Sequence, residues 1–112
     1  VAAGLCLDTC HAFAAGYSFS TPLELEAFIK EIDETAGLEN LKLIHLNDSK
    51  GAHNSKLDRH EHIGKGGIGI KAFKYLLTHP DIREVPMILE TPKKTDEDDP
   101  MNLEAVRKIL EG

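Results

Sequence analysis

The sequence predicts an α/β fold in which three parallel strands are each followed by a helix. Two patterns carry this reading. Short apolar runs alternate with longer stretches of helical periodicity in the order strand, helix, strand, helix, strand, helix, and each apolar run ends on an acid or a histidine. Parallel strands need crossover connections, which the helices supply, and functional groups in such sheets gather beyond the carboxyl ends of the strands.

The first strand is read over Ala2 to Leu7 and ends at Asp8; alternation puts Gly4 and Cys6 on the face of Asp8, and Leu5 and Leu7 on the other. Thr21, Pro22 and Glu24 form a capping box with proline at the first helical position. Leu25, Phe28, Ile29 and Ile32 follow at helical spacing, and Gly37 stops that helix. The second strand, Leu41 to Leu46, sets Leu41 and Leu43 on the face of His45, with Ile44 and Leu46 turned away. Residues 47 to 68 form a long polar, glycine-rich connection of the kind that carries function in compact domains.

Ile70, Phe73, Leu76 and Leu77 mark the next helix, which should stop near Thr78, before His79 and Pro80. Val85 to Leu89 is the third strand, ending at Glu90, with Ile88 on the glutamate's face and Met87 and Leu89 opposite; Thr91 and Pro92 terminate it. The stretch Asp96 to Asp99 reads as a solvated loop. Asp99 and Pro100 then cap and open a last helix carrying Leu103, Val106, Ile109 and Leu110, whose closing dipole Arg107 and Lys108 complement.

Eight strand–helix units close a TIM (β/α)8 barrel of about 250 residues, so three units are under half of one. The chain opens on Val1 rather than Met and runs directly into an apolar strand, so we expect its beginning to be missing. Alone, such a piece exposes an apolar inner face and two open sheet edges, and needs the missing units or a partner chain.

The chain has 112 residues, a formal charge of −6, and 41% hydrophobic and 29% charged residues, the composition of a soluble globular protein. No apolar run is long enough to span a membrane and no signal peptide opens the chain, which makes a cytoplasmic location the default. Cys6 and Cys10 are separated by three residues, not the two of a redox pair or zinc knuckle, and are read as reduced structural thiols.

Asp8, His11, His45, Asp58, His60 and Glu90 lie at or beyond the ends of the three strands. A mixed carboxylate and imidazole set suits zinc or a related divalent ion, where an all-oxygen set would favour magnesium or calcium. Asp8 and His11 serve adjacent ions, or one ion from two directions. Asp58 and His60, two apart in an extended loop, project to the same side and leave Arg59 to point elsewhere, towards phosphate. An inward imidazole at His45 and carboxylate at Glu90 would be costly to bury without partners, and a metal satisfies both. Each residue taken singly has an ordinary alternative as a cap, a surface histidine or a salt-bridge partner; delivery of donors by three successive strands to one end of the sheet favours the joint reading. His62 is read as supporting or exposed, and His53 and His79 as surface residues. Gly64, Gly66, Gly67 and Gly69 form a loop before a helix whose free amides suit a phosphate, although a plain turn explains them equally well. Residues 50 to 71 carry Lys50, Lys56, Arg59, Lys65 and Lys71 against Asp58 and Glu61, a local excess of +3 in an acidic chain.

Four segments carry a family resemblance: Leu7 to Tyr17 (LDTCHAFAAGY), His45 to Lys50 (HLNDSK), Asp58 to His60 followed by Ile63 to Gly69 (IGKGGIG), and Leu89 to Pro92 (LETP). Through them the chain closely resembles the carboxy-terminal portion of the endonuclease IV family over nearly all its length. The resemblance implies the last three units of one TIM-barrel domain, incomplete as given, in a monomeric apurinic/apyrimidinic endonuclease that uses three zinc ions to cut double-stranded DNA 5′ to an abasic site. It also implies that Asp8, His45 and Glu90 are ligands of a zinc sharing a bridging carboxylate with a second zinc, and that His11, Asp58 and His60 are the protein ligands of the third. Two further histidines and the bridging glutamate belong to earlier strands. No protein nucleophile is implied, since metals activate the water. Arg59, Lys50 and Lys65 are the expected DNA contacts. Two alternatives stand beside this reading: a xylose-isomerase-like sugar isomerase or epimerase, which also gathers Glu, Asp and His at the barrel mouth, and a non-catalytic metal-binding partial barrel. The extra His11, Asp58 and His60 set disfavours the first.

Overall fold

The computed structural model describes residues 4–111. Its main sheet has three parallel strands in the order β1 (Leu5–Asp8), β2 (Leu41–His45) and β5 (Met87–Ile88). Two helices follow β1, namely α1 (Thr9–Ala15) and α2 (Pro22–Ala36). A 3-10 turn at Leu38–Asn40 leads into β2. Helix α3 (Gly69–Thr78) precedes β5, and α4 (Asp98–Glu111) follows it. The parallel α/β order read from the sequence is therefore the observed one.

Register fixes which residues share a face. Leu7, Ile44 and Met87 are aligned across the sheet, as are Asp8, His45 and Ile88. The first row faces the helices: Ile44 is fully buried, and Leu7 and Met87 pack on the core formed by Leu25, Phe28, Ile29 and Ile32 of α2 and Ala72, Phe73, Leu76 and Leu77 of α3. The second row faces away from them and is open, with Ile88 49% exposed and Cys6 exposed. This is the uncovered inner face expected of a partial barrel.

Several boundaries differ from the sequence expectation, each for a physical reason. The residues before Gly4 that belong to the expected first strand lie outside the described residues. The register of β1 on β2 shifts between Leu5 and Cys6, pairing Leu5 with Leu41 and Cys6 with Leu43. This irregularity breaks the period-2 alternation, so Leu41 is buried with Ile44 instead of sharing the open face of His45. Strand β5 is shorter than Val85 to Leu89 because Pro86 has no N–H to give the ladder; its carbonyl still accepts from Ile44 N at 2.9 Å. Helix α4 begins at Asp98, inside the stretch expected to be a solvated loop: the Asp98 carboxylate takes the backbone N–H groups of Lys94 (2.7 Å) and Thr95 (3.0 Å), which hold its pKa below the usual carboxylate range. Ile70, Leu103 and Leu110, expected on buried helical faces, are 59%, 60% and 54% exposed.

The capping of α2 follows the sequence. Thr21 Oγ1 accepts from Glu24 N at 3.2 Å, while the Glu24 carboxylate takes the hydroxyls of Thr21 and Ser20, both at 3.0 Å. Gly37, at φ +84°, ends the helix by donating to Asp33 O.

Helix α1 is additional to the sequence expectation. Asp8 Oδ1 caps it by accepting from His11 N at 3.0 Å, and Gly16 ends it at φ +115°. The connection from residue 47 to 68 also holds structure where the sequence suggests only loop, a two-stranded antiparallel ribbon of β3 (Asp48–Ser49) and β4 (His60–Glu61). Its tip docks on the end of α1: Asn54 N donates to Phe13 O, Lys56 N to Ala14 O, Lys56 Nζ to Ala15 O, and His53 Nε2 to Gly16 O. Carbonyls that a helix leaves unpaired are thus met from a distant part of the chain, with a lysine at the negative end of the dipole.

Candidate metal centre

The three strand ends deliver Asp8, His45 and Glu90 to one place. Asp8 and His45 are register partners on neighbouring strands, and Glu90, two residues beyond Ile88, falls on the same face. One ligand atom from each of the three lies within 4.8 Å of the others, and His45 Nδ1 contacts Glu90 Oε1 directly.

A second group is built on Asp8 by the long connection. Asp8, Cys10, Asp58 and His60 place one ligand atom each within 4.8 Å of one another. His60 Nε2 is 3.2 Å from Asp8 Oδ2. The other ring nitrogen, Nδ1, is 2.9 Å from the backbone oxygen of Glu90. A carbonyl can only accept, so Nδ1 carries a proton, and Nε2 is the nitrogen that faces the Asp8 carboxylate. Two acceptors facing each other repel unless a cation or a second ring proton lies between them. The arrangement is that of a ligating histidine whose far nitrogen is fixed by a backbone carbonyl.

His11 joins through Asp58 alone: its Nδ1 is 3.0 Å from Asp58 Oδ2, on an imidazole side chain that is 70% exposed. Burial pushes the Asp58 pKa up, but the hydrogen bond from His11, the nearby Cys10 thiol and the charges of His11 and His60 outweigh it and hold the carboxyl below its usual range. Cys10 is a spent thiol. It is fully buried and donates to Arg59 O at 3.2 Å, and burial, reinforced by Asp58 and Asp8 against a Ser49 hydrogen bond, pushes its pKa up to about 12. Both cysteines are free, as expected.

Donors at the usual ~2.0–2.2 Å from a shared zinc are at most ~4.4 Å apart. The two groups meet this within a few tenths of an ångström, and carboxylate and imidazole, with the Cys10 thiol beside them in the second group, suit zinc. The residues present fit a metal.

A buried network that sequence reasoning misses ties the three strand ends together. Thr9 Oγ1 donates to Asn47 O at 2.7 Å and accepts from Asn47 N at 2.9 Å, and Asn47 Oδ1 accepts from Glu90 N at 2.8 Å. Thr9 and Asn47 are 1% and 0% exposed. Each follows a donor by one or two residues, and that placement is the available signal. Asn102, also buried, plays a similar part under the second loop, accepting from Ile63 N at 2.8 Å and donating to His62 Nδ1 at 3.0 Å. His79, expected at the surface, is largely covered and pairs with Glu26 at 2.5 Å. Lys50, Arg59 and Lys65 are exposed, whereas Lys56 of the same basic strip is taken up in capping α1.

The glycine-rich loop does not present free amides. Gly64, Gly66, Ile68 and Gly69 all donate to the carboxylate of Asp48, which corrects the phosphate reading of that loop. Among the described residues no helix is long and apolar enough to cross a membrane.

Residues 2–111 match the family model described as xylose isomerase-like TIM barrel. The proteins called probable endonuclease 4 from Methanoculleus marisnigri and Aquifex aeolicus are each 48% identical to this chain, over 95% and 97% of its length, and the match takes in 38% of theirs. The crystal structure of endonuclease IV from Thermus thermophilus superposes with a TM-score of 0.81 at 38% identity, covering 96% of this chain and 39% of that one. The chain thus spans about two fifths of the length of the relatives it matches. It belongs to the xylose isomerase-like TIM barrel family and, within it, resembles the endonuclease IV proteins over nearly its whole extent.

Proposed function

We propose that this chain is the carboxy-terminal part of a single TIM-barrel domain in a cytoplasmic, monomeric DNA-repair enzyme of the endonuclease IV kind, which cuts the backbone of double-stranded DNA 5′ to an apurinic/apyrimidinic site. Asp8, His45 and Glu90 hold one zinc, His11, Asp58 and His60 hold a second, and a third belongs to parts of the barrel outside this chain. The observation that carries the reading is the convergence of two donor groups on Asp8 at the carboxyl end of the sheet. Resemblance to proteins called endonuclease 4 supplies the substrate class.

When bound, zinc supplies positive charge against phosphodiester oxygens and acidifies water into the neutral range. The chain's own residues provide the seat. Glu90 contributes twice, its carboxylate beside His45 and its carbonyl fixing the His60 ring with Nε2 inward. Thr9 and Asn47 hold the Asp8 and Glu90 strands in register with the strand of His45. Arg59, Lys50 and Lys65, exposed around the same loop, face the DNA phosphates, so affinity falls as salt rises.

The family description also likens the barrel to xylose isomerase, and sugar isomerases gather similar groups at a barrel mouth. The second donor group on Asp8 favours the nuclease, because moving a proton or hydride within a sugar has no use for a further site of that composition.

In the full-length enzyme, His60→Ala is expected to lower bound zinc and to reduce abasic-site cleavage by at least ~10-fold, the lower end of what loss of a supporting residue costs a metal site. Zinc content by elemental analysis and cleavage of an abasic oligonucleotide check this together. Unchanged values for both would remove the assignment of His60.

A further inference from the structure

We propose that Asp48 is a positioning residue for the His60 arm of the centre: its buried carboxylate fills the amide cradle of the glycine loop and so locks the chain that follows His60 against the strand His60 pairs with. The proposal rests on the reading of His11, Asp58 and His60 as metal ligands.

Asp48 is fully buried, and among the described residues the partners of its carboxylate are backbone amides, not a cation side chain. Its two oxygens take backbone N–H groups instead. Oδ1 accepts from Ser49 (2.8 Å), Ile68 (2.8 Å) and Gly69 (3.4 Å), and Oδ2 from Gly64 (3.0 Å), Gly66 (3.0 Å) and Gly69 (3.3 Å). A carboxylate offers about four lone-pair sites, so these donors use its capacity. Ile68, at the amino end of α3, has no side-chain cap of its own; Asp48 supplies one from 20 residues away, where the helix dipole favours negative charge. The amides that would suit a phosphate are thus satisfied by an anion built into the chain.

The same two residues hold His60. Ser49 and Asp48 pair with His60 and Glu61, and Lys50 N donates to Arg59 O at 2.9 Å. Ser49 O accepts from Gly67 N at 2.9 Å. His60 is therefore paired with Ser49, the residue before it is fastened to Lys50, and the glycine loop after it is fastened to Asp48 and Ser49. Space enforces this as well as hydrogen bonding. A Cβ at Gly66 would lie 2.3 Å from Ser49 O and 2.7 Å from Asp48 Oδ1, so only glycine lets the loop come this close.

Asp48→Asn keeps the size of the side chain but turns an NH2 towards incoming N–H donors. Gly66→Ala leaves Asp48 intact and pushes the loop off it. In the full-length protein, both variants are expected to speed amide hydrogen exchange of residues 62–69 by at least ~10-fold, with α2 unchanged. In a titration with zinc alone, followed by the imidazole 15N shifts, His60 and His11 should need ~10–100-fold more zinc, the usual cost of losing a supporting residue, while His45 responds as in the parent protein. A general loss of folding would move all three histidines and α2 together, and overturns the proposal if both variants show it. Retained protection of 62–69 in both variants also overturns it, as does a released loop with an unaltered His60 response. If the parent protein takes up no zinc through His60, the metal reading fails on its own. The exchange data and the His60 ring shifts without metal then decide the clamp, which needs both to change.

Discussion

Asp8→Asn is expected to remove zinc from the group with His45 and Glu90, to weaken it at His60, and to reduce abasic-site cleavage by more than ~100-fold, beyond the range seen for residues that only support a ligand. Asp8 has two tasks that this substitution separates. Its Oδ1 caps α1 through His11 N, and asparagine caps a helix about as well as aspartate, so the fold should survive. Its Oδ2 faces His60 Nε2 at 3.2 Å, and the carboxylate is the one member common to both donor groups. The loss therefore falls on metal binding. Thermal denaturation without zinc should be nearly unchanged, while elemental analysis shows zinc lost from the first site and held more weakly at the second. A variant that kept its zinc and its activity would mean that the sharing of Asp8 has no functional weight.

Phe73→Ala is expected to destabilise the protein by ~3–5 kcal/mol, the cost of emptying a fully buried aromatic site. Phe73 is 0% exposed at the centre of α3, in the core with Ile44, Leu46 and Leu76. That loss is a large part of the ~5–15 kcal/mol that holds a typical domain together, so the denaturant midpoint should fall sharply. Ile70, in the first turn of the same helix and 59% exposed, is the control: Ile70→Ala should cost ~0.5 kcal/mol or less. A Phe73→Ala cost no greater than that of Ile70→Ala would contradict the packing of α3 on the sheet.

The elements with strong local signals are legible in the sequence. Pro22 after Thr21, Gly37 after a run of helical spacing, and apolar strands ending on Asp8 and His45 each have one physical reading, and the structure follows them. Helix α1 is hidden when Asp8 is weighed for its metal chemistry alone, although an aspartate before an alanine-rich stretch that ends in glycine is also a capping signal. The ribbon of Asp48–Ser49 with His60–Glu61 is hidden because two-residue strands have no periodicity to detect. Leu41 is misplaced by the register shift, which no local pattern announces. At the candidate site, the six proposed ligands are legible as residue types at or beyond the strand ends. The residues that hold them are not, since Thr9, Asn47 and Asn102 act through backbone partners 38 to 43 residues distant, and Asp48 through five amides that meet only in the folded chain.

The central claim is that Asp8 joins two metal positions at the carboxyl end of one sheet. Anomalous X-ray diffraction at the zinc absorption edge, on crystals of the full-length protein grown with zinc, tests it most directly. The account predicts one peak among Asp8, His45 and Glu90 and a second among His11, Asp58 and His60. Ordered side chains with no anomalous peak at either position would contradict it.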